Sequence, residues 1–523
     1  MHVRGVVCVA LFVALGGCSD DELSLQVTTD TGVVKGLVQG ESRMWRGVPY
    51  AAPPVGPLRW KKPEVAAAWD DVRETFEVGS VCPQLASAFG SPSTDEDCLY
   101  LNIWAPRDKR DVPVLVWFHG GAFAFGSGGE TYYNGQHLAE TQDVVLVTVN
   151  YRLGVFGFLA YPGLAAEDGT YPTSGNYGLE DQLAALQWVQ RNIKAFGGNP
   201  ERVTVFGESA GGISTCWQYT SSRTAGLFHA AIAESGLCSN NLFFATRSDA
   251  EATGARVANN AGCTGNDAAI ATCLRGKTPM QLLTAAQSPK VADQLPGGPF
   301  FQPDGIQLGP NVDGIVVEKT SRDAFASGGL AARPLLLGSN RDEGTLFQTS
   351  LVAKETTTES ELRSALATRF TSEQVDAIIA RYPPASFPSF DRTLAEITGD
   401  AFFVCPTRRA ARGAAARGGD VYQYSFEQPV ENPAIANIGV FHASEIPFVF
   451  GDDSFPFGIV GASGAPVAER MQTMWATFAA TGNPGGDWPR YDVATDQLLV
   501  IDAAGSVRTG HKAALCDFWD TLP

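Results

Sequence analysis

Four short runs along the chain are apolar at every position, not at alternate ones. Val114-Leu115-Val116-Trp117-Phe118 lies between Pro113 and His119-Gly120-Gly121. Val144 to Val149, Val203 to Phe206, and Pro334 to Gly338 repeat the pattern. A strand that is apolar on both faces belongs to a sheet covered on both sides. Between the second and third runs, Leu179, Leu183, Leu186, Val189 and Ile193 recur near helical spacing, and Asn199-Pro200 is expected to stop that helix. Strands alternating with helices read as βαβ units and a largely parallel sheet. From about Ala250 to Phe390 the pattern is less regular and predicts helical insertions packed over the functional edge of the sheet. No repeat or low-complexity linker follows residue 24, so one domain is expected over residues 28–523.

Composition narrows the classes. The 523 residues are 44% hydrophobic and 18% charged, which supplies a large core and excludes a disordered chain. Lys+Arg is 38 against Asp+Glu 56, a net charge of −18. Such a chain repels phosphate backbones, so no nucleic-acid partner is expected. At the start, Met1 to Arg4 carry one positive charge and precede the apolar run Val6 to Leu15, too short to span a bilayer and suited to a signal-peptide core over residues 1–17. Leu15-Gly16-Gly17-Cys18 is similar to the lipobox of bacterial lipoproteins. That resemblance implies cleavage before Cys18, a lipid on its sulfur, a tether over residues 18–27 and a place in the bacterial envelope. The alternative is an ordinary signal peptide and a secreted protein, with Cys18 incidental. No later stretch is apolar enough to cross a membrane. Of ten cysteines, removing Cys8 and Cys18 leaves eight, an even number that export would allow to pair. With no CxxC or HExxH and only six His, neither a metal site nor a cofactor is expected.

Candidate chemistry centres on Gly207-Glu208-Ser209-Ala210-Gly211, a single GxSxG. A β-branched strand leads in and a helix-compatible stretch, Gly212 to Tyr219, leads out. This is the strand–turn–helix setting of a nucleophile elbow. A serine attacking an acyl carbon needs amide donors for the developing oxyanion. The N–H groups of Gly121, Ala122 and Ala210 are the candidates, the first two on the glycine loop after the Val114 strand. It also needs a base. Of the histidines after Ser209, His229 leaves no room for an intervening acid and His511 lies in the polar tail. His442, after a strand-like run and a Pro/Asn loop, remains by elimination. An acid past the Pro334–Gly338 strand would orient it, and local chemistry does not separate Asp342 from Glu343.

These residues, with further motifs, resemble the type-B carboxylesterases, the branch of α/β-hydrolases that includes cholinesterases and bile-salt-activated lipases. The motifs include Arg46 to Gly56, Glu96 to Ile103, Asn150-Tyr151-Arg152-Leu153-Gly154, Gly175 to Gln182, Phe196 to Pro200 and Phe478 to Pro484. The resemblance spans nearly all of the chain beyond its first residues. It implies an α/β-hydrolase fold, a large mostly parallel sheet flanked by helices, and hydrolysis of small-molecule carboxylic esters through an acyl-enzyme. It assigns the acid to Glu343 and the base to His442, although Ala443 stands where Gly is usual. It pairs Cys82–Cys98, Cys263–Cys273 and Cys405–Cys516, and leaves Cys216 and Cys238 as a fourth bridge or two buried thiols. It puts the acyl-pocket walls near Phe300 and Phe301, while Phe123 and Phe125 either line the gorge or belong to the core. Glu208 either assists deacylation or organises the pocket. The loop Pro83 to Asp97 has no Trp to hold a quaternary ammonium, so choline esters are not favoured. The same triad acting on amides, carbamates or lactones is the alternative activity. Non-catalytic adhesion proteins of the family characteristically lack triad residues, which this chain keeps.

Overall fold

The computed structural model describes residues 23–87, 90–242, 244–287, 300, 308–327, 332–349 and 354–522. Cys18, Phe301 and the expected signal segment lie outside the described residues.

An eleven-stranded sheet organises the molecule. Its strands are β1 (Leu37–Gln39), β2 (Ser42–Pro49), β3 (Tyr100–Pro106), β4 (Val112–Phe118), β5 (Val145–Val149), β6 (Gly198–Glu208), β7 (Ala230–Glu234), β8 (Leu335–Asn340), β9 (Val421–Phe426), β10 (Gln497–Ile501) and β11 (Val507–Thr509). Their spatial order is β11-β10-β9-β8-β7-β6-β4-β5-β3-β2-β1. The stretch from β10 to β5 is parallel throughout, and antiparallel strands finish both edges. The four both-face apolar runs are β4, β5, β6 and β8, all in this parallel stretch. β4 and β5 are buried along their whole length, with one hydrophobic cluster on each sheet face.

Helix α1 (Tyr177–Asn192) buries Leu179, Leu183, Leu186 and Val189 as the periodicity predicts. It stops earlier than expected. A 3-10 turn over Ile193–Phe196 ends at Gly197, whose φ of 101° no side chain favours, and Asn199-Pro200 already belongs to β6. Arg152, just past β5, grips this helix: its Nε and Nη2 donate to both carboxylate oxygens of buried Asp181 at 2.8 and 2.7 Å. Among the described residues, helices follow Thr246 at Arg247–Asn260, Asp267–Arg275, Pro279–Ala285, Ser321–Ser327, Glu359–Ala367 and Ser372–Arg381, and α3 (Phe390–Gly399) packs on the turn that follows β8. The folded part starts earlier than residue 28. Gln26–Thr28 pairs with Val33–Lys35, and Val27 joins Val34 in the core. The cysteines pair as Cys82–Cys98, Cys263–Cys273 and Cys405–Cys516, with Cys216–Cys238 as a fourth bridge.

The last residue of β7, Glu234, is fully buried. Its Oε1 accepts a 2.7 Å bond from Nε1 of Trp475 on the long helix Gly461–Thr481; helix α2 spans Ala210–Thr220. Burial raises the carboxyl from its ordinary 4.5 to about 8. Across that interval the folded chain holds a proton that the unfolded chain has lost, so this group's contribution to stability is present below pH 4.5 and declines as pH rises towards 8. Glu234→Gln keeps an acceptor for Trp475. Its unfolding free energy, measured by urea titration, is expected to fall less steeply over this range than the wild type's, by up to about 1.4 kcal/mol per pH unit. Parallel curves would contradict the assignment.

Candidate active site

The chemistry-bearing residues stand at the carboxyl ends of β4, β6, β7 and β8 and on the loop after β9, where open α/β sheets place their ligand crevice. At the end of β6 the chain turns at Ser209 with φ 56° and ψ −121°, a left-handed conformation costing about 1–3 kcal/mol for a non-glycine residue. A Cβ at Gly207 would lie 2.5 Å from the carbonyl oxygen of Phe118 in β4, and one at Gly211 would strike the same oxygen. Glycine at both positions therefore lets the elbow close against β4. The Ser209 N–H donates to the Glu234 carbonyl at 3.0 Å, and its own carbonyl accepts from Ile213 to begin α2. Ser209 is only partly covered.

The loop after β4 carries successive positive φ values at Gly121 (101°), Ala122 (53°) and Phe123 (60°). Its curvature is held by the Gly154 N–H on the Phe123 carbonyl at 2.6 Å and by the Tyr151 hydroxyl on the His119 carbonyl at 2.7 Å. The N–H groups of Gly121, Ala122 and Ala210 donate to no protein acceptor among the described residues. Free amides on a strained loop and at a helix start suit an anionic oxygen. His119 is a support: its ring stacks on Tyr151 at 4.4 Å, and burial lowers it to about 4, so it is neutral at pH 7.

Residue 343 separates from its neighbour. Glu343 Oε2 accepts from His442 Nδ1 at 2.6 Å, and Oε1 accepts from the Asn340 N–H at 2.7 Å and from the Ser235 hydroxyl. Asp342 turns elsewhere. Its backbone N–H donates to the Val440 carbonyl, its Oδ2 accepts from the Val440 N–H at 2.9 Å, and its Oδ1 accepts from Arg392 on α3. It staples the loop that carries His442 and does not touch the imidazole. With Nδ1–H committed to Glu343, Nε2 is the basic nitrogen. His442 is 4% exposed, and Nε2 has no hydrogen-bond partner among the described residues. It lies 3.1 Å from Oε1 of Glu208, the residue next to Ser209, in a geometry that makes no hydrogen bond. No Ser209–His442 hydrogen bond is formed; such bonds often tighten only with substrate in place. Burial first, then the charges of Glu343 and Glu234, pushes Glu208 well above the carboxylate range. Glu445, bonded to Asn340, is pushed up by burial and by Glu208. The other two histidines lie apart. His229 sits at the amino end of β7, and His511 lies beside Arg508.

Phe123 is a core residue: it is fully buried and packs on Phe158 at 5.0 Å, because the left-handed backbone turns its ring inward. Phe300 joins an aromatic cluster with Phe347, Phe402 and Phe403. Phe347 and Phe403 pack in tilted contact with the His442 ring, centroids 5.0 and 4.8 Å away, whereas Phe300 is one ring removed. Those two, with Ser235 and Asn340, escaped the sequence reading. The Phe402-Phe403 pair projects from a π-helical turn, Asp400–Val404, that periodicity does not reveal, although the doublet beside Cys405 was a visible cue.

Comparison with known proteins gives the family. The chain is 36% identical to the para-nitrobenzyl esterase of Bacillus subtilis over 500 residues, covering 91% of this chain and 94% of that protein. It is also 36% identical to the fumonisin B1 esterase of Sphingopyxis macrogoltabida over 527 residues, covering 96% and 92%. A solved structure of PNB esterase superposes with a TM-score of 0.80 at 34% identity, covering 94% of this chain and 99% of that one. The model of the carboxylesterase family matches residues 23–519. The chain belongs to the carboxylesterase family, and it is a serine hydrolase of carboxylic esters with the α/β-hydrolase fold.

Proposed function

We propose that Ser209, His442 and Glu343 form the catalytic triad, with Gly121, Ala122 and Ala210 as the oxyanion donors. One observation carries the reading: a buried imidazole whose Nδ1 is 2.6 Å from Glu343 keeps an unpartnered Nε2 beside the elbow residue. His442 Nε2 takes the Ser209 proton as Oγ attacks the ester carbonyl. The free amides receive the oxyanion, each worth about 10²–10³ in rate. The imidazolium then gives its proton to the leaving alcohol, and an acyl-enzyme remains. Water, deprotonated by the same nitrogen, releases the acid. Glu343 holds the tautomer and stabilises the transient charge. Glu208 faces Nε2 and is held towards its neutral form by burial; a positive imidazolium 3.1 Å away favours its ionised form during the reaction.

The substrates are uncharged small-molecule esters rather than choline esters. The Cys82–Cys98 loop offers no Trp for an ammonium group, and the rings packed on His442 are phenylalanines. The four disulfides fit maturation in an oxidising compartment. With the apolar start and the Gly17-Cys18 junction, they support export and a lipid anchor at Cys18 in the bacterial envelope.

Ser209→Ala is expected to lower kcat on p-nitrophenyl esters by at least about 10³-fold with an unchanged melting midpoint. Near wild-type activity in the folded variant would overturn the triad. Cys18→Ser is expected to move the protein from the membrane pellet to the soluble fraction, and unchanged partitioning would remove the anchor.

A further inference from the structure

The oxyanion loop is held at one more point, from outside its own sheet. Gln84 lies in the loop closed by Cys82–Cys98 and is 1% exposed. Its backbone makes a reciprocal pair with Ser93, each N–H donating to the other's carbonyl at 3.0 Å. Its side-chain amide makes a second reciprocal pair. Nε2 donates to the Gly126 carbonyl at 2.9 Å, and Oε1 accepts from the Gly126 N–H at 2.8 Å. The remaining Nε2 proton goes to the Cys82 carbonyl at 3.2 Å. The amide therefore acts as a short piece of strand edge, satisfying both buried peptide groups of Gly126 at once.

Gly126 is part of the oxyanion loop's frame. A Cβ there would lie 2.6 Å from His119 Nδ1 and 3.0 Å from the Gly120 carbonyl, so its backbone packs directly on the residues preceding Gly121. Gly90 covers the pair from the other side, where a Cβ would meet Gln84 Oε1 at 2.5 Å. Further along, Gly128 is held by the Asn150 side chain at 2.8 Å. Between the Phe123 and Gly128 anchors, where the Ser127 hydroxyl also donates to Asn150 Oδ1 at 3.1 Å, Gln84 supplies the side-chain fixation of the Gly126 peptide groups in a loop whose Ala122 and Phe123 are strained. Strained backbone persists only where its surroundings over-determine it.

We propose that Gln84 is a positioning residue for the oxyanion donors, coupling the first disulfide loop to the N–H groups of Gly121 and Ala122. The inference rests on the reading of those amides given under Proposed function. Losing both bonds lets Gly126 and the Gly120–Ala122 turn relax, and donors displaced from the oxyanion weaken the transition state more than the bound substrate.

The test uses the full-length protein, p-nitrophenyl butyrate and a trifluoromethyl ketone that adds Ser209 reversibly to give a tetrahedral oxyanion. Gln84→Ala is expected to lower kcat about tenfold or more with KM within twofold, and to weaken the ketone by a similar factor. In Gln84→Glu the carboxylate loses the donor to the Gly126 carbonyl, and protonation restores it. Its kcat relative to wild type at the same pH is expected to rise as pH falls, which a purely structural role would not produce. A folded Gln84→Ala with wild-type kcat and ketone affinity overturns the proposal and leaves the triad standing. Should Gln84→Ala not fold, a kcat ratio for Gln84→Glu that is flat with pH overturns it. Full ester turnover by Ser209→Ala defeats the underlying reading of the site, and the role of Gln84 with it.

Discussion

One backbone contact sets the geometry of everything around it. The carbonyl oxygen of Phe118, at the end of β4, sits where side chains at residues 207 and 211 would have to be. Glycine at both lets β6 and α2 press against β4. This brings the turn at Ser209 and the turn at Gly121 side by side. The parallel register extends the arrangement: Phe118 stands opposite Gly207, Glu208 opposite Glu234, and Glu234 opposite Gly338. Four adjacent strand ends thus converge on one crevice, and each supplies a different part. In the proposed site, the loop after β4 offers the amide donors, the turn after β6 the hydroxyl, the end of β7 the bracing carbonyl and hydroxyl, and the turn after β8 the acid.

The carboxyl groups in this crevice do different work because their surroundings differ. Glu343 has a donor for each oxygen and is bonded to the imidazole. Among the described residues, Glu208, Glu234 and Glu445 each keep an oxygen without a hydrogen-bond partner, and burial pushes all three towards the neutral form. Glu343 is bonded to the imidazole, whereas burial favours the neutral form of the other three. Asp342 illustrates it again. Arg392 and the Val440 N–H occupy its oxygens, so it fixes the His442 loop from below.

Much of the fold was legible because its signals are local. A parallel sheet writes itself as unbroken apolar runs, and β4, β5, β6 and β8 were readable for that reason. GxSxG was readable because an elbow tolerates little else. The helix end at Gly197 was misplaced because a left-handed glycine acted before the more obvious proline. The choice between Asp342 and Glu343 was invisible locally, since it depends on which side chain finds Arg392 and which finds His442 across the fold. Phe347, Phe403 and Gln84 were silent for the same reason: their meaning lies in contacts made by distant segments and, for Phe403, in a π-turn without periodic signature.

The claim beneath all of this is that the Ser209 hydroxyl is made nucleophilic by His442. Labelling the intact protein with a fluorophosphonate and mapping the adduct by mass spectrometry tests it most directly. The expected result is one covalent adduct on the peptide containing Ser209, formed at least about a hundredfold more slowly in folded His442→Ala. Adduct on another residue, or equally fast labelling of Ser209 without the imidazole, would contradict it.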